Sequence, residues 1–139
     1  MSRHVFTYGS LMFPDVWKPL VPRPRASVLA TLSGFAREGV RGRTYPGIRP
    51  DPQARTSGRL YLDLDDDEIA RLDAFEGSEY QRETVTVRIT TTDGRTVSLA
   101  AEVYRLADPA QLDGQPWDAE AFGRTCAKGF YREHAPGSN

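Results

Sequence analysis

The segment RETVTVRITTTDGRTVSLAAEVYRL, residues 82–106, limits the possible folds more than any other stretch of this chain. Two runs rich in Val, Thr and Ile flank Asp93-Gly94. Asp-Gly between β-branched runs is the strongest short-range signal for a hairpin, because glycine enters positive φ without steric cost. A lone hairpin is marginally stable in water, so this one requires further strands. They are at hand. GRLYLDL (58–64) alternates with a period of two, SVLATLSGFARE (27–38) is strand-like, and VFTY (5–8) begins as a strand.

The segments between them are less regular. PDVWKPLVPRPRA (14–26) carries four prolines and reads as a connector with room for one short helical turn, and TYPGIRPDPQARTSG (44–58) reads as a long Pro/Gly-rich loop. DDDEIARLDAF (65–75) opens with aspartates, takes helical spacing through Ile69, Leu72 and Phe75, and stops at Gly77. Near the C-terminus Phe122, Cys126 and Phe130 recur every four residues, which predicts a helical stripe with Cys126 packed in it. Strands outnumber helices without a βαβ alternation, so the reading is α+β with a curled or closed sheet, low in helix.

With 139 residues, 39% hydrophobic and 27% charged, the chain fits a single domain spanning 1–139 that encloses a core and one pocket. Its 18 Lys plus Arg against 19 Asp plus Glu give a net charge of -1, so no global field favours nucleic acid or anionic lipid. One cysteine excludes an internal disulfide and a multi-cysteine metal site, and His4 and His134 show no metal-ligand spacing. MSRHVF lacks the apolar core of a signal peptide and no stretch approaches a membrane span. A soluble cytoplasmic protein, monomer or homodimer, is the expectation.

Two places could carry chemistry. Glu76 follows Ile69 and Leu72 on the apolar face of the helix, so a carboxylate is turned toward the core. Burial and the helix C-terminus would both push its pKa above the free value of about 4.3. The plainer alternative is a solvated carboxylate at a frayed helix end, or one paired with Arg82. Asp73 shares the face but is short enough to bond locally, and Glu79, past Gly77, lacks this directional argument. The second place is VFTYGSLMF (5–13), where Gly9-Ser10 ends a good strand without turn chemistry for a hairpin. The tyrosines at 45, 61, 80 and 104 read as packing residues with their hydroxyls at the rim.

Tyr8-Gly9-Ser10-Leu11, Tyr45-Pro46-Gly47, Phe75-Glu76-Gly77 and Tyr80-Gln81-Arg82 occur in this order. Together they resemble the γ-glutamylcyclotransferase-like superfamily, in particular its AIG2-like and γ-glutamylamine cyclotransferase branches. The resemblance implies a small mixed β-barrel with a few short helices. It implies a catalytic glutamate at Glu76 and a substrate loop at Tyr8, Gly9, Ser10 and Leu11, continuing to Met12 and Phe13. It also implies release of 5-oxoproline from a small γ-glutamyl substrate with no metal or organic cofactor. The substrate's own amine would close the lactam. Glu76 would carry protons, and the amides of Gly9, Ser10 and Leu11 would hold oxygen, with Gly9 admitting the ligand close to the chain. Met-Phe-Pro after Leu11 departs from the polar or basic residues of some members, so the leaving amine stays open. A non-catalytic metabolite-binding module of the same fold is the second reading. An RNA-binding barrel using Tyr8, Tyr61 and Tyr104 beside Arg41 and Arg43 is the third, and the near-zero net charge weakens it.

Overall fold

The hairpin at Asp93-Gly94 forms as its sequence demands: β4 (Tyr80–Thr90) and β5 (Thr96–Leu106) pair antiparallel along their whole length. Gly94 turns the chain at φ 85°. The computed structural model describes residues 3–120, so the Phe122, Cys126 and Phe130 stripe lies outside the described residues. Around the hairpin stand β1 (Arg3–Thr7), β2 (Ser27–Val40), β3 (Pro46–Leu64) and β6 (Leu112–Pro116), with helices α1 (Pro14–Leu20) and α2 (Asp66–Glu76).

These strands form one sheet in the order β3-β1-β5-β4-β2-β6, and a further β3–β2 pairing closes five of them into a ring, with β6 outside it on β2. The β1–β5 contact, Val5 opposite Glu102, is parallel, and the other pairings are antiparallel. The barrel is therefore mixed, in agreement with the α+β expectation. Its closure depends on Gly58, where a Cβ would lie 2.1 Å from the Thr7 carbonyl oxygen and 2.8 Å from Cζ of Phe6. Only a residue without a side chain lets β1 pass so near β3.

Two apolar clusters follow from the pleat. One draws Phe6, Leu32, Ile48, Leu60, Val87 and Val103 from all five ring strands and none from the helices, so it fills the barrel. The other packs Val5, Tyr61, Leu64 and Leu106 on the outer face against Trp17 and Leu20 of α1 and Ile69, Leu72 and Phe75 of α2. The rings of Trp17 and Tyr61 stack at 3.7 Å between centroids.

Two expectations need correction. Residues 14–20 form a helix, not a mere connector. Pro14 occupies its first position, where the missing N–H costs nothing, and burial of Val16, Trp17 and Leu20 outweighs the bond that Pro19 forfeits inside it. Residues 46–58 form the first part of β3, not a loop. Pro46 and Pro50 stand opposite Gly39 and Phe35 of β2, while β1 reaches β3 only from Arg59 onward. The second edge of that stretch has no ladder among the described residues, so proline forfeits no bond there. A register shift between Ser33 and Phe35, opposite Pro50 and Arg55, absorbs the rest of the proline-rich sequence as a bulge.

Helix α2 is built as its sequence suggests. Asp65 caps it, accepting the Glu68 amide at 2.8 Å, while the Glu68 carboxylate accepts the Asp65 amide at 2.9 Å. Gly77 ends it at φ 68°. No helix among the described residues is long and apolar enough to cross a membrane.

Candidate active site

A cavity of about 610 Å³ opens where three pieces of chain converge. The first is the exit of β1, continuing through a single 3-10 turn at Ser10–Met12. The second is the 41–45 turn between β2 and β3, and the third is the end of α2 with a 3-10 turn at Gly77–Glu79. Tyr8, Gly9, Ser10, Leu11 and Glu76 all line it. Met12 does not, contrary to expectation; its amide closes the turn onto the Gly9 carbonyl at 3.0 Å. Phe13 is likewise off the cavity and bonds the Ser10 carbonyl at 3.1 Å. The amides of Ser10 and Leu11 open that turn, where geometry supplies no acceptor within it.

The Glu76 carboxylate has no hydrogen bond and no ion pair among the described residues. Arg82 does not pair with it: that guanidinium bonds Asp73 at 3.0 Å and also Glu102. Glu76 keeps some accessible surface because it faces the cavity, yet the protein surrounding it raises its pKa to about 8. Desolvation is the larger cause and the charge of Glu79 the second. The helix expectation of an inward, proton-holding carboxylate therefore holds in direction.

Four tyrosines line the same space, and each hydroxyl is already committed as a donor. Tyr8 donates to the Tyr104 carbonyl at 2.6 Å, Tyr80 to the Pro46 carbonyl at 2.6 Å, Tyr104 to Asp73 at 2.7 Å, and Tyr45 to Glu79. Burial, reinforced by neighbouring carboxylates, holds all four phenols above their ordinary range. They shape the cavity and stay protonated, so Glu76 is the lining group poised to exchange a proton near neutrality. Gly9 has a structural purpose besides its place on the cavity, since a Cβ there would sit 2.6 Å from Cγ of Pro46. Its absence lets the Ser10–Met12 turn and the 41–45 turn close on each other.

Sequence reasoning passed over Glu79, Tyr45, Tyr80 and Arg43 as site residues, although all four line the cavity. A 3-10 turn eclipses residues three apart, and the turn Gly77–Glu79, entered from Glu76, therefore returns Glu79 to the side of Glu76. A glycine directly after a helix, followed by a second acid at that spacing, was the available signal. Arg43 stands at the rim, with 53% of its side chain exposed and its Nε 3.6 Å from Glu79 Oε2.

Comparison with known proteins identifies the fold and the family. The family described as "Gamma-glutamyl cyclotransferase, AIG2-like" matches residues 5–121. AIG2-like protein D of Arabidopsis thaliana is 37% identical over 92% of this chain and 84% of its own, and AIG2-like protein C of the same plant is 40% identical over 85% and 67%. A solution structure from Arabidopsis thaliana superposes with TM-score 0.69 at 34% identity, covering 94% of this chain and 86% of that one. A structure titled "Gamma-glutamyl cyclotransferase" shares the fold at TM-score 0.59 and 19% identity, covering 78% and 68%. The match over residues 5–121 and these relatives make the chain, with its ring of strands, a member of the AIG2-like gamma-glutamyl cyclotransferase family.

Proposed function

We propose that the protein is a cyclotransferase that releases 5-oxoproline and an amine or amino acid from a γ-glutamyl substrate, with Glu76 as its acid and base. The observation that carries this reading is the unpaired Glu76 carboxylate, with a pKa of about 8, in the cavity that the Ser10–Met12 turn also lines. The substrate's α-ammonium gives a proton to Glu76, and its nitrogen attacks the γ-carbonyl carbon. The forming oxyanion meets the amides of Ser10 and Leu11, donors fixed in place before the reaction. Collapse breaks the bond from that carbon to the leaving nitrogen. Two protons depart the attacking nitrogen and two reach the leaving one, so a carboxylate that shuttles each in turn ends as it began. No water is consumed, and holding the substrate folded supplies most of the rate.

A panel of γ-glutamyl amino acids and γ-glutamylamines, assayed for 5-oxoproline, tests the class. Glu76→Gln keeps shape and hydrogen bonding but loses the proton, so turnover should fall about 100- to 10,000-fold while the substrate still binds. Binding without 5-oxoproline from any panel member would make the protein a metabolite-binding module. Undiminished release by Glu76→Gln would remove the carboxylate from the mechanism.

A further inference from the structure

We propose that Arg43 reads a second carboxylate on the substrate, that of the amino acid that leaves. The substrates would then be γ-glutamyl amino acids or short γ-glutamyl peptides rather than γ-glutamylamines. The inference rests on the cyclotransferase reading above.

Three observations carry it. Arg43 is the one lysine or arginine among the described residues lining the cavity. Its guanidinium makes no hydrogen bond to any described residue; its ion-pair partner Glu79 lies just beyond hydrogen-bond length, 3.6 Å from Nε to Oε2, while Oε1 of that carboxylate accepts the Tyr45 hydroxyl. The fork of donors that suits a carboxylate is thus available.

Among the described residues the guanidinium is held only by its ion pair with Glu79, whereas its backbone is fixed at several points. The Arg43 amide bonds the Val40 carbonyl at 3.0 Å, the Arg41 amide bonds the Gln111 carbonyl at 2.8 Å, and the Trp117 indole N–H bonds the Thr44 carbonyl at 2.8 Å. A fixed turn presenting a half-exposed cation with donors to spare suits recognition more than packing.

Depth completes the argument. Glu76 is only partly exposed and is desolvated by the protein around it, whereas more than half of the Arg43 side chain is open to solvent. With the γ-carbonyl at Glu76, the leaving group extends toward the mouth. In a γ-glutamyl amino acid the second carboxylate sits one carbon beyond the scissile nitrogen, on that outward path. Glu79 would repel it, and Arg43 offsets that repulsion while adding two-pronged donation. A leaving amine without a carboxylate makes no use of Arg43, and one with a cationic tail would be drawn to Glu79 and pushed by Arg43.

The test compares kcat/KM for γ-glutamyl-alanine with that for γ-glutamyl-alaninamide, which keeps the glutamyl carboxylate and loses only the outer one. A γ-glutamylamine with a cationic tail forms a third arm. The native protein should prefer the carboxylate substrate by about 10- to 100-fold, expressed in KM, as expected for a charge-assisted hydrogen-bonded pair. Arg43→Gln should bring that ratio near one, and Arg43→Lys should recover part of it, since a point charge lacks the fork. Equal native rates on the two substrates would overturn the inference while leaving the cyclotransferase reading intact. So would an equal loss on both in Arg43→Gln, which would put the glutamyl carboxylate on Arg43, or a preference for the cationic tail. Release from none of the three would overturn both readings.

Discussion

Glu76 and Glu79 face one cavity, and among the described residues only Glu79 has a partner: it accepts the Tyr45 hydroxyl and pairs with Arg43, while Glu76 has neither. The unequal pairing divides their roles. The ionised form of Glu76 is disfavoured by burial and then by the charge on Glu79, which holds its pKa at about 8. The kcat/KM of the native protein should therefore rise with pH through about 8, as Glu76 loses its proton and can accept one from substrate. Glu79→Gln removes a negative charge that opposed ionisation, so Glu76 should ionise earlier and the rising limb should move to lower pH. The glutamine oxygen still accepts from Tyr45, which keeps the wall in place. Tyr8, Tyr80 and Tyr104 stay protonated across this range and contribute no limb. An unmoved limb in a pH-rate profile would assign it to the substrate's own ammonium.

The direction of Glu76 depends on where α2 stops. Gly77 holds φ 68° and ψ -160°, a conformation costly for any residue with a Cβ, and beyond it the chain enters the turn that returns Glu79 to the cavity. Gly77→Ala should cost about 1–2 kcal/mol of stability, visible as a lowered Tm. It should also reduce kcat in the protein that remains folded, because both carboxylates are aimed by this corner. Unaltered kcat with lowered Tm would limit Gly77 to capping. Elements like α2 were legible because local chemistry and global packing agree there: an acidic start, helical spacing, a terminal glycine. The same holds for the hairpin at Asp93-Gly94. Helix α1 and the first part of β3 were not legible, because proline is a local signal whose weight depends on neighbours. Pro14 sits where a helix needs no amide, and Pro46 and Pro50 sit where β3 lacks a second ladder. Neither circumstance can be read before the topology is known. In the site, Tyr8, Gly9, Ser10, Leu11 and Glu76 were foreseen; Tyr45 was read as a packing residue, and Arg43 carries no local signal that the β2–β3 turn would bring it to the cavity.

At the scale of the molecule, the ring closes through one tight approach. Gly58→Ala would drive a Cβ into the Thr7 carbonyl and the Phe6 ring, backbone and core at once. A loss of about 3 kcal/mol is expected, at the upper end of overpacking changes, with the interior cluster loosened as well as Tm lowered. Stability unchanged in thermal unfolding would mean that β1 and β3 have slack the geometry does not show. The position of β1 has another consequence. It is the first stave of the barrel, yet its neighbours are β3 and β5, and Tyr8 is tied to Tyr104 across 96 residues. The β2–β3 and β4–β5 hairpins join neighbours in sequence and need little from the rest of the chain. During synthesis β1 precedes both of its neighbours, so one edge waits for β3 and the other stays open until β5 follows. Such distant pairings also make folding slow compared with a helical bundle. A chain with both hairpins formed and β1 still loose lacks the wall that Tyr8, Gly9, Ser10 and Leu11 set beside Glu76, so the cavity exists only once the barrel is sealed.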